Sequence, residues 1–80
     1  MVKGFANHRR IEILELLALH PDLCVGQICD ALKIEIRTAS EHLRRLVIAG
    51  LLVRRYEGRE VKHNLTGRAQ DILRFLDTLV

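Results

Sequence analysis

The stretch Ala39–Leu65, ASEHLRRLVIAGLLVRRYEGREVKHNL, changes its periodicity part-way along, and that change decides the fold. Up to Ala49 the apolar residues recur at helical spacing, and Gly50 follows as a glycine commonly follows a helix end. Beyond it, Leu51, Leu52 and Val53 lead into Glu57-Gly58-Arg59, and Val61, His63 and Leu65 alternate out. Alternation on both sides of a glycine-containing turn predicts a β-hairpin. A helix running through a glycine stop into a basic hairpin is the frame for the rest of the chain.

Extended backwards, the helix is predicted over Ile36 to about Ala49. At about 100° per residue, Ala39, Leu43, Leu46 and Gly50 share a narrow sector, with Ile36, His42 and Val47 at its edges. That sector is expected to be the core side. Arg37, Glu41, Arg44 and Ile48 lie opposite, flanked by Thr38, Ser40 and Arg45. By itself this is also how an ordinary solvated face looks, since Glu41 can pair with Arg37 or Arg45 at i±4.

Upstream, QICDALK predicts a helix of about two turns, with Ile28, Ala31 and Leu32 inward, separated from the next helix by a break at Lys33–Glu35. A short helix, a tight break and a second helix with a basic outer face form a helix-turn-helix. The second helix of such a pair suits the DNA major groove, where arginine reads guanine and Ser or Thr reaches bases or phosphates. Arg59 at the hairpin tip, flanked by Arg54, Arg55 and Lys62, is then expected to hold the phosphate backbone.

The first helix is predicted from an Asn7 cap to Leu19, stopped by Pro21. Ile11, Leu14, Leu17 and Ala18 form its stripe, widened by Ile13, Leu16 and Leu19, which calls for more covering surface than one small chain supplies. Leu23–Val25 is short and β-prone. Thr66 is expected to cap a last helix whose Ala69, Ile72, Leu73, Leu76 and Leu79 make one apolar stripe, with Phe75 and Val80 beside it. The predicted order is helix, short strand, helix, helix, hairpin, helix: a mainly α fold with a small β wing.

Composition bounds the function. Eighty residues, 49% of them apolar, are expected to form a single folded domain over residues 1–80. No apolar run suits a bilayer span or a signal peptide, so no membrane partner and a soluble, cytoplasmic setting are expected. The net charge of +3 is mild, but its placement is not uniform. Acidic residues lead early (Glu12, Glu15, Asp22, Asp30, Glu35), whereas basic ones gather between Arg37 and Arg68, a possible footprint for nucleic acid. With no Trp, two Phe and one Tyr, base stacking on an aromatic platform is disfavoured. No glycine-rich phosphate loop occurs, and Ser40 and His42 stand too close along one helix for a catalytic arrangement, so no enzyme activity and no cofactor are expected.

The residues DLCVGQICDAL and ASEHLRRLVIAGLLVRRYEGREVKHNL resemble those of ArsR-type winged helix-turn-helix regulators. The likeness rests on Ser40-x-His42-Leu43-x-x-Leu46, the Ala49-Gly50-Leu51-Leu52 exit and the Glu57-Gly58-Arg59 turn. MarR-like and other winged-helix regulators share the exit and hairpin. The resemblance implies a homodimeric transcriptional repressor bound to double-stranded DNA. It assigns Arg37, Thr38, Ser40, Glu41, Arg44 and Arg45 to the reading face, Gln27 to a phosphate contact, and Arg55, Arg59 and Lys62 to the wing. The paired outer helices would use Phe5, Leu16, Ile72, Phe75, Leu76 and Leu79. Glu41 departs from expectation, because a carboxylate repels phosphate; it can accept from cytosine or orient an arginine.

Metal-sensing members carry a cysteine pair around the short strand. Here Cys24 matches one member, Gly26 stands in place of the other, and Cys29 lies one turn on. His20 and His42 are the nearest further ligand types. With that set incomplete, the cysteines are expected to be small buried hydrophobes rather than metal ligands. The rival class is a winged helix used as a protein–protein adaptor, kept open by Glu41, Ile48 and the modest charge.

Overall fold

The computed structural model describes the backbone of residues 5–78 and the side chains of residues 8–78. Its elements are α1 (Phe5–Leu19), α2 (Val25–Leu32), α3 (Ile36–Ile48), β1 (Leu52–Glu57), β2 (Glu60–Leu65) and α4 (Gly67–Thr78). The order matches the expectation except at Leu23–Val25. There the strand shrinks to one bridge, Leu23 to His63, because Val25 already begins α2. Asn7 is not a cap, since the helix includes it.

The core is small and shared among the elements. Ile13, Leu14 and Leu17 of α1 meet Ile28 of α2, Leu43 and Leu46 of α3, Leu52 of β1 and Ala69 of α4. Burying a side chain of the Leu or Ile class is worth about 1.5–3 kcal/mol, so a few residues account for most of the hold on each helix. Leu16, Leu23, Val25, Leu32, Val47, Leu51, Leu65 and Leu73 pack around that cluster. Ala18, Ala31, Ile36 and Gly50, placed on inward faces by periodicity, are exposed instead. Ala18 and Ala31 fall at the margins of their stripes, and Ile36 and Gly50 sit at the two ends of α3.

Local chemistry explains the joints. Lys33 closes α2 in the left-handed conformation (φ 59°), and its N–H donates to the Cys29 carbonyl. At the end of α3 the Gly50 N–H donates to the Val47 carbonyl at 3.0 Å and the Leu51 N–H to the Leu46 carbonyl at 2.9 Å. That pair of bonds is the Schellman arrangement, and Gly50 takes the left-handed residue it requires (φ 79°). Thr66 then does two jobs. Its hydroxyl donates to the Gly50 carbonyl at 2.7 Å and accepts from the Ala69 N–H at 3.2 Å, capping α4 and tying it to the α3 exit.

The hairpin pairs Leu52 with Leu65, Arg54 with His63 and Tyr56 with Val61. His63 joins it to the helices: its backbone N–H and its ring Nδ1 each lie 3.0 Å from the Leu23 carbonyl. A carbonyl only accepts, so Nδ1 carries the ring proton. Beside it, Asp22 and Asn64 exchange two bonds, Asp22 N–H to Oδ1 at 3.0 Å and Asn64 Nδ2 to Asp22 Oδ1 at 2.7 Å. On α3, buried His42 accepts at Nδ1 from Arg10 Nε at 3.3 Å, which links the reading helix to α1.

Both histidines are held below the ordinary imidazole value. For His42 burial acts first and Arg10 second; for His63 burial acts first, opposed by the Leu23 bond and aided by Arg54. The unfolded chain takes up these protons near pH 6.5, about the free value, and the folded chain only at lower pH. Their contribution to stability is therefore complete above about pH 6.5 and is lost as pH falls below it. Thermal melts should show a lower Tm at pH 5 than at pH 7.5, with part of that drop abolished in His42→Gln; an identical pH profile in the variant would contradict the assignment.

Candidate nucleic-acid interface

The outward face of α3 carries Arg37, Thr38, Ser40, Glu41, Arg44 and Arg45, all exposed, while Ala39, His42, Leu43 and Leu46 are buried behind them. The spacing argument therefore placed every one of these outer side chains on the correct face. Within the face the charges are organised around Glu41. Arg44 binds its carboxylate through two nitrogens, at 3.2 and 2.8 Å, and Arg45 Nε donates to Oε2 at 2.7 Å. These bonds, those from Arg44 first, lower the Glu41 pKa to about 2. Glu41 is thus a permanent anion that holds two guanidiniums side by side. Arg37, the other partner anticipated at i±4, stays out of the cluster, and no ion pair engages it among the described residues.

The wing has two unlike faces. Arg59 sits at the turn beside Gly58, which adopts φ 61°. Arg55 and Lys62 are opposite each other in register and share one face, where Arg55 pairs with Asp22 at 3.3 Å and Glu57 at 3.6 Å. Lys62 pairs there with Glu60 at 3.3 Å and Glu57 at 4.0 Å. Arg54 and Tyr56 point the other way, on the face that holds buried Leu52 and His63, and with Ser40 of α3 they line a common cleft. Tyr56 was not anticipated as a site residue, and Arg54 was expected only as a flank of the Arg59 tip at the phosphate backbone. The alternation that carries Leu52 and His63 inward was the available signal, because residues two apart share a face.

Gln27 lies exposed in the first turn of α2, as expected, but its Oε1 accepts from the Cys24 N–H at 2.9 Å. Part of that carboxamide therefore stabilises its own helix start. Cys24 and Cys29 are free and half-buried rather than fully buried. Burial, then Asp30, pushes the Cys29 thiol up, which disfavours the thiolate that metal binding requires. His42 Nδ1 is already engaged by Arg10, and no group of three His, Cys, Asp or Glu suited to a metal occurs among the described residues. No helix among them is long and apolar enough to cross a membrane.

Of the proposed pairing surface, Phe75 is 62% exposed and Ile72 37% exposed on α4, and Leu19 of α1 is also exposed. Leu76 is half-buried, and Leu16 packs against the core. The Phe5 side chain and Leu79 lie outside the described residues.

A family model for bacterial regulatory proteins of the arsR family matches residues 7–53, from α1 to the start of the wing. The chain belongs to the arsR family. An HTH-type transcriptional regulator of Methanocaldococcus jannaschii is 36% identical over 96% of this chain and 88% of its own length. A cadmium-resistance transcriptional regulatory protein homologue of Staphylococcus aureus is 33% identical over 79% of this chain and 52% of its own. Among solved structures, a MarR family transcription regulator aligns with TM-score 0.76 and 31% identity over 80% of this chain. A mutant of the Staphylococcus aureus regulator MepR, bound to an oligodeoxyribonucleotide, aligns with TM-score 0.85 at 22% identity over 89% of it, a likeness of fold. The chain spans 44% and 55% of those two solved chains. This arsR-family chain is a winged-helix transcription regulator that binds DNA, and it falls in a non-enzyme class.

The Glu41 cluster makes a specific prediction. Glu41→Gln removes a negative charge from the reading face and loosens Arg44 and Arg45, so binding to unrelated duplex should strengthen and its salt dependence steepen. Preference for a selected site over a mismatched one should shrink. Competition binding with the two duplexes checks this, and unchanged preference and salt slope would refute a positioning role for Glu41.

Proposed function

We propose that this chain acts in the cytoplasm as a homodimeric transcriptional repressor, with residues 1–80 as its DNA-binding domain. α3 lies in the major groove, with Arg37, Thr38, Ser40, Arg44 and Arg45 toward base edges and nearby phosphates. Arg59 at the wing tip and Gln27 at the start of α2 meet the backbone on either side. Arg55 and Lys62 sit on the outer side of the wing and reach phosphates only by leaving their carboxylate partners. The observation that carries the reading is the segregation on α3: its outer side chains Arg37, Thr38, Ser40, Arg44 and Arg45 are exposed while Ala39, His42, Leu43 and Leu46 are buried, and a basic hairpin flanks that face.

Two subunits suit this reading because a single α3 spans too few base pairs for a specific site, whereas a two-fold pair places one helix in each of two successive grooves. Exposed Phe75, Ile72 and Leu19 supply an apolar surface for pairing on α4 and α1.

Selection of bound duplexes from a random pool tests DNA reading directly. On the selected duplex, Arg44→Ala should cost about 1–3 kcal/mol and relax base preference, and Arg59→Ala should weaken all sequences alike with a shallower salt slope. No binding to any duplex at low salt would refute the reading. Phe75→Glu should shift sedimentation at micromolar concentration from dimer toward monomer, and a parent chain that sediments as a monomer would count against the pairing surface.

A further inference from the structure

The cleft between α3 and the inner face of the wing joins Ser40 of the reading face to Arg54 and Tyr56 of β1. Its volume is about 210 Å³, and Ser40, Arg54 and Tyr56 border it together with apolar Val25, Leu43 and Val61. We propose that this cleft seats one phosphate of the DNA backbone, held by Arg54 with the hydroxyls of Ser40 and Tyr56, so that the inner face of the wing is its gripping face. The inference rests on the DNA-binding reading above and deepens it.

Strand register supplies the first argument. Arg54 is paired with His63 and Tyr56 with Val61, on the side of the hairpin whose base is buried at Leu52 and His63. Both side chains therefore face the helix that reads DNA. Arg55 and Lys62 alternate to the opposite side and cannot face α3 without a slip in register.

Charge supplies the second. No Asp or Glu lines the cleft. No ion pair engages Arg54 among the described residues, whereas Arg55 and Lys62 are each tied to two carboxylates. An anion arriving at Arg54 displaces nothing; one arriving at Arg55 must compete with Asp22 and Glu57. The third argument is the donor set. A guanidinium binds phosphate oxygens through two parallel N–H groups, and Ser and Tyr hydroxyls donate to the remaining ones. Such contacts set the register of a reading helix on the duplex. Val25 and Val61 offer an apolar wall for the adjoining deoxyribose, and a wall of low polarity strengthens the field of the arginine.

His63 fixes the geometry from below. Its two bonds to the Leu23 carbonyl hold β2 against the helices, so Arg54, its partner in register, starts from a rigid strand.

The test uses the full chain and a duplex selected from a random pool, with affinity measured across a salt series. Arg54→Ala should weaken binding tenfold or more, and the slope of log K against log salt should fall by about 0.9 for each bound subunit. Tyr56→Phe, which removes one hydroxyl, should weaken binding several-fold, and Arg55→Ala should cost less than Arg54→Ala. If Arg54→Ala melts below the assay temperature, Arg54→Gln carries the same expectation. The inference is overturned if the Arg54 variant and Tyr56→Phe keep parental affinity and slope, or if Arg55→Ala costs more, while Arg44→Ala still weakens binding. In that case the reading helix stands and only the cleft falls. A parent chain that binds no duplex removes both.

Discussion

One carbonyl oxygen, that of Leu23, holds the wing to the helices. The backbone N–H and the ring of His63 both reach it, and the reciprocal Asp22–Asn64 pair lies alongside. A hairpin of two strands is marginal in water on its own. Here it gains a third partner at Leu23, and buried Leu52 anchors it to the core. Everything about which wing residues face α3 follows from that attachment. Once His63 points inward, Arg54 and Tyr56 must share its side, and Arg55 and Lys62 must take the other.

The same economy governs the reading helix. Four buried side chains hold α3, and the one polar member, His42, is bonded to Arg10 of α1. The outer face is left for charge. Glu41 accepts from both Arg44 and Arg45 and stays ionised to a pH of about 2. A carboxylate in a DNA-facing surface opposes phosphate, yet it also restricts two long side chains whose free rotation would otherwise be lost on binding. Loss of general attraction and gain of orientation are the two sides of that arrangement, and orientation is what base reading requires.

The α3 exit connects these two parts. Gly50 closes the helix, its carbonyl accepts from Thr66, and Thr66 opens α4. Arg68 adds a bond to the Ala49 carbonyl at 3.2 Å. The helix end, the start of the wing and the start of the last helix are thereby tied at one point. On α4, Phe75 and Ile72 are left uncovered.

Much of this was legible in the residues alone. Periodicity located all four helices and the hairpin, and it put Arg37, Thr38, Ser40, Glu41, Arg44 and Arg45 on one exposed face, because 3.6-residue geometry leaves an outer face little freedom. The Gly50 exit and the Thr66 cap were equally readable, since only local bonds decide them. What could not be read locally depended on partners distant in sequence. Leu23 contributes one bridge rather than a strand, because its partner is His63 on the wing, chosen by three-dimensional packing. Glu41 selected Arg44 and Arg45 over Arg37 through side-chain conformations that spacing does not specify. Ala18 and Ala31, at the margins of their apolar stripes, lie exposed. The wing holds its cations in a run that looks uniform, and only attachment to the helices sorts them into paired and unpaired faces. Local bonds and residue period determined the elements; contacts between distant residues decided which of their faces meet.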